Sequence, residues 1–102
     1  MDVQLSPRKL VTVICEASLE DAIIADLLAL DIHGYTISDA RGNGAHGRRD
    51  AAWPPSANIR IEVLCAENTA TNLLKHLQKT YYANYGIVTF MIDVSVIRPE
   101  KF

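Results

Sequence analysis

The chain has 102 residues, 49% of them hydrophobic and 22% charged, with a formal net charge of −2. These values fit a single globular domain over residues 1–102, and they give the whole molecule no bias towards nucleic acid or an anionic membrane. Cys15 and Cys65 stand in apolar runs, with no CxxC pair and no Cys/His spacing suited to zinc. They are expected as buried free thiols in a reducing, cytoplasmic setting.

Residues 1–8 are polar and read as a short tail closed by Pro7, without the apolar segment of a signal peptide. No apolar stretch approaches the ~18 residues that suggest a membrane span. Lys9 to Cys15 alternates as a strand, with Val11, Val13 and Cys15 on one side and Leu10, Thr12 and Ile14 on the other. Ser18, followed by Asp21, predicts a capped helix start. Leu19, Ile23, Leu27 and Leu30 form its apolar stripe. Gly34 is expected as the left-handed residue past the helix end. Tyr35 to Arg41 reads as a second strand and Asn58 to Cys65 as a third. The third sets Ile59, Ile61 and Val63 against Arg60, Glu62 and Leu64. A second helix is expected from Asn68 or Thr69, with Ala70, Leu73, Leu74, Leu77 and Tyr81 as its stripe. The last strand runs from Ile87 to Ile97 before Pro99.

This order, β-α-β, long loop, β-α-β, predicts an α+β, ferredoxin-like βαββαβ fold with both helices on one face of an antiparallel sheet. Leu10, Ile14 and part of the last strand would leave the other face apolar. A domain this small cannot cover that face with its own helices, so self-association is expected.

The segment from Gly42 to Ala57 is unusual. Sixteen residues with three Gly, two adjacent Pro, two adjacent Arg and the only Trp separate the second and third strands. Loops longer than about 12–15 residues are uncommon in compact domains unless they are functional or disordered. Arg41, Arg48, Arg49 and Arg60 lie in or beside it and make up four of the ten basic residues. By contrast, the span from Glu16 to Asp39 holds six acids and no Lys or Arg. Glycines that open the backbone, with arginines nearby, suit an anionic ligand such as phosphate. Arg60 and Glu62 share a strand face at the loop exit, where they pair with each other or hold a small anion. Lys9 begins the neighbouring first strand as a possible second charge. Arg48, Arg49 and Trp53 suit contact with a partner protein. The three histidines lie on different elements and make no metal trio. No nucleophile stands beside a base, so no enzymatic chemistry is expected.

Gly34-x-Thr36 with Ile37, then Gly42-x-Gly44, the long loop, and Ile59-x-Ile61-Glu62-Val63-Leu64 together resemble the PII signal-transduction proteins over residues 9 to 98. The resemblance implies a homotrimer with an adenine nucleotide in each inter-subunit cleft and a T-loop, residues 42–57, that docks on a target protein. It implies that Gly34, Tyr35, Thr36 and Leu64 surround the adenine, that Gly42, Asn43 and Gly44 offer backbone N–H groups to phosphate, and that Arg98 comes from the neighbouring subunit.

The departures narrow the resemblance. The T-loop has no Tyr, which excludes the tyrosine-linked modification of ordinary PII proteins. His46 and Asn58 stand where the family's 2-oxoglutarate site uses a Gln and a Lys. Thr80 to Gly86 has tyrosines but no Lys, which favours ADP or AMP over ATP. These features resemble the carboxysome-associated PII-like proteins and those that partner a bicarbonate transporter. That branch implies nucleotide binding coupled to bicarbonate, with Arg60, Lys9 and Glu62 as candidate anion residues. The alternatives are a copper-tolerance-like protein of the same superfamily and a small acyl-phosphate enzyme. The acylphosphatase pattern needs a Gly-rich, Arg-bearing loop after the first strand, where this chain has Cys15-Glu16-Ala17-Ser18.

Overall fold

The computed structural model describes residues 2–42 and 57–102. Strand β1 (Ser6–Glu16) is followed by a single 3-10 turn (Ala17–Leu19) and helix α1 (Glu20–Ala29). Strands β2 (Thr36–Ala40) and β3 (Asn58–Cys65), helix α2 (Glu67–Tyr81) and strand β4 (Val88–Val96) complete the domain. A second 3-10 turn, Pro99–Lys101, follows β4. The four strands form one antiparallel sheet in the order β2-β3-β1-β4. This is the ferredoxin-like arrangement expected from the element order.

The β-branched run Val11-Thr12-Val13-Ile14 places β1 at the centre of the sheet, where such residues pack well on a pleated surface. Val11, Val13, Cys15, Ile59, Ile61 and Val63 are buried together with Ile23 and Leu27 of α1 and Ala70, Leu73 and Leu77 of α2. The helices therefore cover one side of the sheet, as the apolar stripes predict. Leu30 and Leu74 pack against the edge of this core. Each fully buried aliphatic side chain contributes on the order of 1.5–3 kcal/mol relative to exposure.

Asp26 links the two helices. It accepts a hydrogen bond from the Tyr81 hydroxyl and lies 3.1 Å from His76 Nε2. Burial and this bond to Asp26 push the Tyr81 phenol well above its ordinary pKa.

The ends of β2 and β4 fall one residue inside the expected bounds, and four larger features differ from the sequence expectations. First, β1 begins at Ser6, so residues 6–8 are strand and not tail: Ser6, Pro7 and Arg8 face Val96, Ser95 and Val94 of β4. Pairing with β3 starts only at Lys9, so Pro7 has a strand partner on one side alone, where a missing N–H is tolerated. Second, Ser18 does not cap α1. It lies inside the 3-10 turn, and its hydroxyl donates to Glu16 Oε1 at 2.9 Å. Third, α2 starts at Glu67 after Ala66, with no side-chain cap; Glu67 in its first turn and Lys79 in its last complement the helix dipole.

Fourth, the left-handed residue after α1 is Asp31, with φ of 63°, and not Gly34. The Asp31 N–H donates to the Leu28 carbonyl at 3.0 Å and the Ile32 N–H to the Leu27 carbonyl at 2.8 Å. This is a Schellman motif, and Ile32 is buried beside the end of the helix it closes. A short polar side chain tolerates this conformation better than most, and the Asp31 carboxylate lies 2.7 Å from His33 Nε2.

Candidate functional site

The register fixes which residues share the uncovered side of the sheet. Leu10 faces Leu64 on β3 and Ile92 on β4; Thr12 faces Glu62 and Phe90; Ile14 faces Arg60 and Val88. On β2, Thr36 faces Glu62 and Ser38 faces Arg60. Among the described residues no helix lies over this side. Val88, Phe90 and Ile92 are exposed, whereas Leu10, Ile14 and Leu64 are half-buried. Thr12, at the middle of the face, is screened from solvent by its neighbours, yet its hydroxyl has no hydrogen-bond partner.

A cavity of about 350 Å³ opens on this face at the start of β2, lined by Gly34, Tyr35, Thr36, Glu62, Leu64 and two further residues, Leu10 and Phe102. Four residues expected to surround an adenine are thus brought together: Gly34, Tyr35, Thr36 and Leu64. An adjoining cavity of about 190 Å³ shares Gly34, Leu64 and Phe102 and adds Lys101, His33 and Thr69. Apolar Leu10 and Leu64 with the rings of Tyr35 and Phe102 suit a flat heteroaromatic group. Glu62 and Thr36 add polar groups that can fix its orientation.

The other end of β2 leads out of the sheet. Ala40 lies four residues beyond Thr36, about 13 Å along an extended strand. Gly42 follows, exposed, where the chain leaves the sheet towards residues 43–56. Between these ends, Arg60 and Glu62 face Ser38 and Thr36, half-buried, with Arg60 Nη2 3.5 Å from Glu62 Oε2. The face therefore runs from an aromatic cavity, past an arginine, to a glycine at the loop base, which is a layout suited to an elongated anionic ligand. A Cβ added to Gly34 or Gly42 meets nothing within 4 Å, and neither takes a left-handed conformation. The described chain itself does not require glycine at either position.

Lys9 does not belong to this layout. It faces Cys65, whereas Arg60 faces Ile14, five residues further along β1 and about 17 Å away. Side chains alternate across a strand, so Lys9 points to the helix-covered side and Arg60 to the open side. Lys9 donates a hydrogen bond to Asp93 and lies 4.0 Å from Glu67. The bond to Asp93 is the main cause of its raised pKa. The expectation of one anion site built from Arg60 and Lys9 is therefore corrected: the two cations stand on opposite faces. A cavity of about 360 Å³ beside Lys9, Glu67 and Asp93 has charges that already satisfy one another.

Arg98 is exposed where β4 gives way to the terminal turn, and it lines neither open-face cavity. Asn43, Gly44, Arg48, Arg49 and Trp53 lie outside the described residues. The sequence reading missed Leu10 and Phe102 as cavity residues. Leu10 was legible as part of the open face, but Phe102 lies far from the other cavity residues in sequence and no local pattern places it there. Among the described residues, no group of three or more His, Cys, Asp or Glu gathers as a metal site. No helix among them is long and apolar enough to cross a membrane.

The chain matches the family model "Nitrogen regulatory protein P-II" over residues 8–101. It belongs to the P-II family, and its fold is that of a PII-like regulatory protein. No curated protein matches the sequence. Among solved structures, it is similar to a PII-like signaling protein from Thermus thermophilus, with 38% identity, coverage of 100% of this chain and 99% of that one, and a TM-score of 0.82. It is also similar to CPII from Thiomonas intermedia, a nitrogen regulatory PII-like protein solved with ADP, AMP and bicarbonate. That match has 28% identity, covers 99% of this chain and 98% of that one, and has a TM-score of 0.86. A second CPII structure, bound to ADP and bicarbonate, matches at 28% identity with coverage of 99% of both chains and a TM-score of 0.86.

Proposed function

We propose that this protein is a homotrimeric, non-enzymatic PII-like regulator that binds ADP or AMP in clefts between subunits. Bicarbonate binding is coupled to the nucleotide, and residues 42–57 carry the inorganic-carbon and energy signal to a target protein. The observation that carries this is the joining of Gly34, Tyr35, Thr36 and Leu64 in one open cavity, at the end of a strand that leads to Gly42. The CPII relative, solved with ADP, AMP and bicarbonate, supports the ligand class.

In this assignment the base occupies the aromatic cavity and the phosphates extend along β2 towards Gly42, Asn43 and Gly44. Arg98 of a neighbouring subunit supplies a cation. Arg60, braced by Glu62, holds bicarbonate by a two-pronged hydrogen bond beside the phosphates. Two anions at close range repel, and the guanidinium offsets that cost. Exposed Val88, Phe90 and Ile92 give an apolar face that a second copy would cover. The signal is a population shift, in which the ligand binds one arrangement of residues 42–57 better and so favours it.

The test is calorimetry with ADP on the wild type and on Gly42→Val. Because a side chain at Gly42 meets nothing in the described chain, the variant keeps its fold. Its ADP affinity should fall at least about tenfold, ~1.4 kcal/mol. Unchanged affinity would move the phosphates away from the loop base.

A further inference from the structure

The turn after β4 is tied down by a residue far away in sequence. Arg8 Nη2 donates to the Pro99 carbonyl at 3.0 Å and Arg8 Nε to the Phe102 carbonyl at 3.2 Å. Its remaining nitrogen, Nη1, donates to the Pro7 carbonyl at 2.7 Å. All three guanidinium nitrogens of Arg8 are thus spent on main-chain oxygens, two of them in the terminal turn. Within the turn, the Lys101 N–H donates to the Arg98 carbonyl at 3.2 Å and the Phe102 N–H to the Pro99 carbonyl at 3.1 Å. This latch holds Phe102 against the open face, where it lines both adjoining cavities.

Phe102 is not used as core there. It is 40% exposed, and Tyr35, in the same cavity, is 38% exposed. Two partly open aromatic rings and the aliphatic side chains of Leu10 and Leu64 leave an apolar space of about 350 Å³. A flat ring with polar edges suits that lining, since it stacks on an aromatic face and keeps its edge atoms in contact with polar groups. Lys101, beside Phe102, lines the adjoining cavity.

We propose that Phe102, fixed by Arg8, is a base-contacting wall of the nucleotide site, and that the Arg8-latched segment 99–102 is a strap that sets preference for a purine. This rests on the nucleotide assignment above and adds to it a residue pair joining the two ends of the chain. Arg8 is a positioning residue, because it acts on the ligand only through Phe102.

Calorimetric titration of ADP and UDP into wild type, Phe102→Ala, Phe102→Tyr and Arg8→Ala tests the strap, with light scattering to verify assembly. Loss of one stacking contact should weaken ADP about fivefold or more in Phe102→Ala and Arg8→Ala. UDP should weaken less, so the ADP-to-UDP preference narrows. Phe102→Tyr keeps the aromatic face and should stay within about twofold of wild type. Wild type that binds ADP, with both alanine variants binding equally well, overturns the strap and leaves the nucleotide assignment standing. An alanine variant that loses ADP and UDP in equal proportion, or Phe102→Tyr that falls as far as Phe102→Ala, also overturns it. A wild-type chain that binds no adenine nucleotide overturns both proposals.

Discussion

The two faces of one strand, β3, carry different jobs in alternating letters. Ile59, Ile61 and Val63 are buried against both helices, whereas Arg60, Glu62 and Leu64 look out over the uncovered side. The same contrast runs through β1, where Val11, Val13 and Cys15 are core and Leu10 and Ile14 remain half-open. On the covered face, side chains are chosen to fill space, and errors there cost stability of the single chain. Under the proposed function the open face meets a ligand and neighbouring subunits, so errors there should spare the chain and damage binding or assembly.

The contrast can be broken most sharply at Ile61, which is fully buried and among the largest of the core side chains. Ile61→Ala should destabilise the protein by about 2–5 kcal/mol, measured by urea unfolding at fixed protein concentration. A loss below ~1 kcal/mol would mean that the covered face is loosely packed. One residue along, Glu62→Gln should cost far less in the same assay, within about 0.5 kcal/mol, as expected for a half-exposed side chain.

Much of this was legible in the sequence, for one reason: strand alternation and helix stripes are local. The period of two in residues 58–65 gave the buried triplet directly, and the stripe Ala70, Leu73, Leu77 and Tyr81 gave the face of α2. Features set by backbone closure or by distant contacts were harder to see. Gly34 looked like the helix terminator because glycine has no Cβ penalty, yet the chain closes α1 three residues earlier at Asp31. Ser18 looked like a cap, but a 3-10 turn intervenes and its hydroxyl turns to Glu16. Residues 6–8 looked like tail because Pro7 breaks strands; partners in β4 that are distant in sequence make them strand. Lys9 looked like a companion of Arg60 until the register set them on opposite faces. The contact between Arg8 and Phe102 spans 94 positions, and no local pattern announces it.

A mutation on the open face tests the other half of the contrast. Phe90 is exposed and faces Thr12, whose hydroxyl lacks a partner. Phe90→Asp should abolish self-association while leaving the chain folded. Light scattering should move from about three times the 11.3 kDa chain mass to a single chain, with the far-UV circular dichroism retained. A variant that still runs as a trimer would show that this face is not the interface.

A small effect of opposite sign belongs to the turn between α1 and β2. Asp31 holds a left-handed conformation that costs an L-residue roughly 1–2 kcal/mol, and glycine removes that cost. Asp31→Gly should therefore stabilise the protein by up to ~1 kcal/mol, offset in part by the greater freedom of glycine in the unfolded chain and by loss of the contact with His33. Thermal unfolding reads the sign. A clear decrease would mean that the Asp31–His33 contact contributes more than the backbone strain removes.

The central claim is that the open face binds a nucleotide and a small anion together, and that Arg60 joins them. Titrating ADP into the wild type and Arg60→Ala, with and without bicarbonate at fixed pH and ionic strength, tests it most directly. Because binding linkage is reciprocal, bicarbonate should tighten ADP by the same factor by which ADP tightens bicarbonate. A coupling of 1–3 kcal/mol, about 5–150-fold, is the expected range. This coupling should be present in the wild type and lost in Arg60→Ala. Equal ADP affinity with and without bicarbonate in the wild type, or coupling that survives the loss of Arg60, would contradict the claim.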